Sequence, residues 1–167
     1  LQALRAEMER AGDRGTLVFM GDQVPNGVPD SASASRAEAN ARMDALVSAA
    51  RDLEGRIVVV PGDRDWARGE DGLKAQEDYL ETALDADVLT PGDQSGGPRE
   101  IKLADGLRLL VVDTAWWLRD PEDRPEGEAE DVDIRSPADV ASVLETIIAD
   151  RDDDRHRCRG LRSLPVV

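Results

Sequence analysis

Three acids stand where a chain would leave a sheet. Asp22 follows the apolar run 16–20 and Gly21; Asp63 follows the run 56–60 and opens Asp63-Arg64-Asp65 after Pro61-Gly62; Asp113 follows the run 107–112. In open α/β sheets ligands bind beyond the carboxyl ends of the strands. A glycine just before an acid lets the backbone turn sharply and come close to a ligand. Carboxylates gathered there repel one another unless a proton or a cation intervenes, and a hard divalent ion suits an all-oxygen set. The competing reading is structural, because Asp after Gly at a strand end commonly caps the next turn. His156 is the one histidine and Cys158 the one cysteine. A single cysteine leaves no internal disulfide and no Cys-based zinc cluster.

The elements that must position these acids read from the apolar pattern. The runs TLVFM at 16–20 and RIVVV at 56–60 are short and nearly all apolar, as in strands buried on both faces. Segment 35–53 has Ala39, Met43, Leu46, Val47 and Ala50 on one helical stripe, with Ser33 or Ser35 as its cap. Segment 71–84 is a second helix carrying Leu73, Tyr79, Leu80 and Leu84. The stretch 91–98 (PGDQSGGP) is a loop by composition, and 99–103 and 107–112 flank Asp105-Gly106 as a hairpin. The acid-rich stretch 120–133 reads as a solvated loop outside the core. A third helix covers 137–149, with Val140, Val143, Leu144, Ile147 and Ile148 as its stripe and Ser136 as cap. Residues 1–10 read as a helix with Leu1, Leu4 and Met8 on one face. Residues 151–167 carry no clear period and read as an irregular tail behind a domain at 1–150. Strand–helix–strand–helix order predicts an α/β fold with a parallel-centred sheet and flanking helices, the strands ending at Met20, Val60 and Val112 sharing one sheet.

Composition narrows the partners. The chain of 167 residues holds 36 acids and 21 bases, a net charge of −15. Nucleic acid and anionic lipid both require a basic footprint, so no nucleic-acid partner is expected. No apolar run nears the ~20 residues that span a bilayer, so no membrane segment is expected. Only Lys74 and Lys102 are lysines. Abundant Asp with little Lys fits a surface tuned to high salt, where self-repulsion is screened; GC-rich coding gives the same arginine bias.

The words around these acids resemble a known family. LVFMGDQVPNGVPD at 17–30 and IVVVPGDRDWARG at 57–69 are similar to two metal-binding blocks of the calcineurin-like metallophosphoesterases, and LLVVDTAWWL at 109–118 is similar to a later strand of one subgroup. The resemblance covers roughly 1–149 and implies a partial calcineurin-like phosphoesterase sandwich. It implies divalent cations (Mn, Fe, Zn or Mg) and a phosphate-ester substrate, either a phosphomonoester or a phosphodiester. On the family pattern Asp22 is the bridging metal ligand. Asp63 stands where the family has Asn and still offers oxygen. Arg64 stands where the family has a histidine that aids phosphate chemistry; an arginine binds phosphate bidentately but cannot serve as a general acid near neutral pH.

The pattern also implies a further metal block ahead of Leu1 and histidine segments after the third helix, and His156 in RHRCRG does not resemble them. Two-metal hydrolysis needs two ions held ~3.5–4 Å apart. The expectation is therefore a phosphoesterase domain whose own ligand set is incomplete, with little activity in this chain. The alternative is a non-catalytic binding or scaffold domain that retains the fold, a reading the Asp63-Arg64 replacement favours. A phosphatase using Asp22 as a covalent nucleophile ranks lower, because such enzymes favour a second Asp two residues on and position 24 is Val.

Overall fold

The structure is a computed structural model that describes residues 2–161 apart from 31, 32, 93, 130 and 131; of residues 2, 128, 129, 132 and 151–161 it describes the backbone only. Helix α1 (Gln2–Ala11) leads through a 3₁₀ turn to β1 (Thr16–Met20), followed by α2 (Ala34–Ala50) and β2 (Arg56–Val60). A second 3₁₀ turn (Asp65–Arg68) runs into α3 (Gly69–Leu84). Then come β3 (Arg99–Ala104), β4 (Leu107–Val111), the short α4 (Thr114–Leu118), β5 (Gly127–Ala129), β6 (Val132–Ile134) and α5 (Pro137–Leu161). The molecule is mixed α/β, as its pattern predicts.

The β1–α2–β2 crossover makes a parallel pair in register from Thr16↔Arg56 to Met20↔Val60. On the far side of β2, Val59 donates to Val88 O and accepts from Thr90 N–H at 2.7 and 2.8 Å, so this strand is flanked on both edges. Its burial follows: Val58 and Val59 are buried, as the apolar run predicts. For β1 the prediction holds only in part. Leu17 is buried, but Met20 is 85% exposed, because among the described residues β1 pairs with β2 alone.

The third apolar run does not join this sheet. Strand β4 pairs antiparallel with β3 through the Asp105-Gly106 turn, where Gly106 takes φ +78°, and the two form a separate two-stranded sheet. The tight turn gives β4 an immediate neighbour in β3, and among the described residues its other edge pairs with no strand, so the shared sheet expected from the pattern does not form.

One core joins the helices to the strand ends. Met43, Leu46 and Val47 of α2, Leu73 and Leu80 of α3, Val140, Val143 and Ile147 of α5, Val59 of β2, Trp66, Trp116 and Ile134 pack together, with Val24 and Val28 from the segment after β1. The α2 stripe is buried throughout, and Ser33 caps that helix through Oγ, which accepts the Arg36 N–H at 3.2 Å. On α5 Ile148 departs from the predicted stripe and is exposed. The sequence ends that helix at 149, yet its backbone continues to Leu161. Between Pro137 and Gly160 no proline or glycine interrupts it, and arginine is a good helix former. Residues 162–167 and the side chains of His156 and Cys158 lie outside the described residues, as does Leu1.

The segment read as a loop by composition and the one read as a solvated loop are both partly built into the fold. Residues 94–98 are buried, and a Cβ on Gly96 would stand 2.6 Å from Trp116 Cδ2, so only glycine lets the indole lie flat against this backbone. Within 120–133 lie a 3₁₀ turn and the paired β5 and β6, while Pro125 O accepts the Trp116 Nε1–H at 3.1 Å. Composition marks the acids there as solvated but does not reveal that the backbone between them closes over Trp116. No described helix is long and apolar enough to cross a membrane.

Candidate functional site

Beyond the carboxyl ends of β1 and β2 two segments run side by side, 21–27 and 62–68. The ladder extends one residue past the strands, where Gly21 N–H donates to Val60 O at 2.8 Å. Asp22 then takes a left-handed conformation, φ +59°, which Asp tolerates better than most residues. A side chain at Gly62 would collide with it: a Cβ there would lie 2.5 Å from Asp22 Oδ1 and 2.6 Å from Asp22 N. The close approach therefore requires glycine at 62.

Three contacts step along the two segments. Asp22 Oδ1 accepts the Arg64 backbone N–H at 3.3 Å, and Oδ2 lies 3.8 Å from Arg64 Nε. Asp65 Oδ1 accepts the Val24 N–H at 2.7 Å, while Oδ2 accepts the Gly62 N–H at 2.9 Å. Arg68 Nε donates to Asn26 O at 3.2 Å. Asp65 is fully buried and so clasps the two turns from below, with Asp22 and Arg64 above it at the surface. Val24 and Val28 root the first segment in the core.

The structure brings Asp22, Asp63 and Arg64 to one end of the parallel pair, as predicted. Asp63 is exposed. Asp113 does not join them as a free acid. It is fully buried, Oδ2 accepts the Trp66 Nε1–H at 2.6 Å, and Oδ1 caps α4 by accepting from Ala115 N and Trp116 N at 2.8 and 3.2 Å. Its place in the hairpin sheet turns it inward onto Trp66. The tryptophans pack as structural residues: Trp66 and Trp116 are buried, and the Arg119 guanidinium lies 4.8 Å from the centre of the Trp66 ring.

Burial sets the protonation of the inner acids. Desolvation raises the Asp65 carboxyl above its ordinary 3.8, against the opposing pull of the amides that bond it. Desolvation raises Asp113 too, opposed by the Trp66 hydrogen bond and reinforced by the nearby charge of Asp65. Sequence reasoning did not single out Asp65 or Arg68 as site-building residues. In a chain with this much Asp nothing in composition marks one as buried, and the available signal is Asp65's place directly before a core tryptophan.

Two cavities lie near these strands. One of about 380 Å³ borders Val24 to Gly27, α2 and Arg68, next to the paired turns. Another of about 650 Å³ opens at the opposite ends of β1 and β2, where Gly15, Thr16, Gly55 and Arg56 line it, and no predicted site residue borders it.

The donor set decides what the site can hold. Both oxygens of Asp22 face Arg64, Asp63 adds one exposed carboxylate, and among the described residues no group of three or more His, Cys, Asp or Glu converges on a common point. These residues do not fit a two-cation centre. The guanidinium of Arg64 makes no hydrogen bond to another described residue. Its planar fork of donors is available to a phosphate or carboxylate. The chain matches no family model, no curated protein and no solved structure.

Proposed function

We propose that this chain is a phosphoesterase-type domain of the calcineurin-like kind, with phosphomonoesters or phosphodiesters as its ligand class and its strand-end turns as the substrate-facing edge. The observation that carries the reading is the joining of Gly21-Asp22 and Gly62-Asp63-Arg64 at one end of a parallel pair, with Asp22 and Arg64 in contact. Arg64 binds phosphoryl oxygens with two parallel N–H donors and stays protonated throughout. Asp22 accepts the Arg64 backbone N–H, and Asp65 bonds the two turns that carry the pair. In this kind of domain divalent cations supply Lewis-acid activation of water and phosphate; Asp22 and Asp63 are the residues here nearest to that role, and they fall short of it as described above.

A second reading, a binding or scaffold domain without catalysis, is favoured by the same ion pair, since Arg64 already neutralises Asp22. Hydrolysis of p-nitrophenyl phosphate and its bis-ester, with and without Mn²⁺, separates the two. The incomplete ligand set predicts a rate no greater than a metal-only blank, an outcome that leaves this chain a phosphate-binding domain of that kind without catalysis of its own. Turnover above that blank that disappears in Asp22→Asn would establish a working enzyme and reject the scaffold reading.

A further inference from the structure

We infer that Arg64 takes the place of a divalent cation at Asp22, and that this site recognises a phosphoryl group without metal, Asp22 acting as a displaceable counter-ion. The inference rests on the phosphate-ester reading above and adds to it how the anion is held. A carboxylate that bridges two cations needs oxygen lone pairs free to face them. Here Oδ1 is engaged by the Arg64 N–H and Oδ2 faces Arg64 Nε, so one residue occupies both. Asp22 Oδ1 lies close against Gly62, where a Cβ would stand 2.5 Å from it. A divalent ion bound to Asp22 would stand directly against a permanent guanidinium charge.

The same geometry suits an incoming anion. The Nε–Oδ2 separation of 3.8 Å is an ion pair without a hydrogen bond, and the two side chains are 62% and 46% exposed. Such a pair is weakly held, so a phosphoryl group can take the guanidinium from Asp22 at small cost while the Arg64 backbone remains tied. Asp63, exposed and adjacent, opposes the anion by its charge. Binding should therefore be weak, salt-sensitive and improved by removing either carboxylate.

The test is a ¹H–¹⁵N NMR titration of the full chain with inorganic phosphate in EDTA, repeated with Mg²⁺, and a separate Mn²⁺ titration read by paramagnetic broadening. Phosphate in EDTA should shift the Arg64 backbone and Nε–H signals saturably, with no gain from Mg²⁺. Arg64→Gln should weaken binding by roughly tenfold or more, the loss of a charge-assisted donor pair, with Arg64→Lys between the two. Asp22→Asn and Asp63→Asn should each tighten it. Mn²⁺ should broaden signals of residues 21–24 more in Arg64→Gln than in the wild type. Retained signal dispersion shows that each variant folds, and the lysine variant serves if the glutamine one does not. Phosphate shifts that require Mg²⁺ would overturn the inference and leave the phosphoesterase reading standing. No phosphate response under either condition would overturn both.

Discussion

Removing the Asp65 carboxylate tests whether the two turns are held from within. In Asp65→Ala the Val24 and Gly62 amides lose their acceptor. Hydrogen bonds to a charged partner contribute about 1.5–3 kcal/mol each, and an orphaned buried amide retains its full desolvation penalty. Two such bonds come to roughly 3–6 kcal/mol. Relief from burying a charge offsets part of this, since desolvation is the largest influence on Asp65. A net loss on the order of 2–4 kcal/mol follows, equivalent to roughly 4–16 °C in Tm for a chain of this size. The pH dependence has a definite sign. The folded carboxyl titrates above its ordinary 3.8, so the folded state binds more protons between 3.8 and the raised value. The pH-dependent part of Asp65's contribution is then fully present below 3.8 and is lost as pH rises through the folded pKa. The stability gap between wild type and Asp65→Ala should widen as pH falls from neutral toward that window. Urea unfolding followed by tryptophan fluorescence at several pH values measures it. Equal stability of the two proteins, or a gap that widens as pH rises, would refute the clasp.

Three further outcomes are expected. Gly96→Ala places a Cβ 2.6 Å from Trp116 Cδ2 and should cost about 1–3 kcal/mol by overpacking; a Tm within a degree of wild type would show that the loop yields freely. Gln76 is fully buried, and neither polar atom of its side chain has a hydrogen-bond partner among the described residues, so Gln76→Leu should stabilise by about 1 kcal/mol or more, read from the urea midpoint. Molar NaCl should raise Tm, because a net charge of −15 is screened when the Debye length falls to about 3 Å; an unchanged or lowered Tm would mean that the exposed ion pairs outweigh the net repulsion.

What the sequence discloses here depends on the range of the interaction. The runs 16–20 and 56–60, the α2 stripe and the Asp105-Gly106 hairpin are legible because each is specified by neighbours within a few residues. The burial of 94–98 is not, because it depends on where a distant tryptophan comes to rest. The acids show the same limit. Asp22 and Asp63 read correctly as lying at one strand end, whereas Asp113 looks equivalent in sequence and faces inward. The difference lies in what stands opposite: Asp113 meets the indole N–H of Trp66 and the amides of α4, which compensate its burial, and Asp22 meets a solvent-exposed guanidinium. Asp65 connects the two cases. It is buried like Asp113, yet its two oxygens bond amides on either side of the Asp22–Arg64 contact, at Val24 and Gly62. The exposed pair therefore inherits its geometry from a buried acid. A substitution that leaves Asp22 and Arg64 untouched can still separate them by loosening that acid.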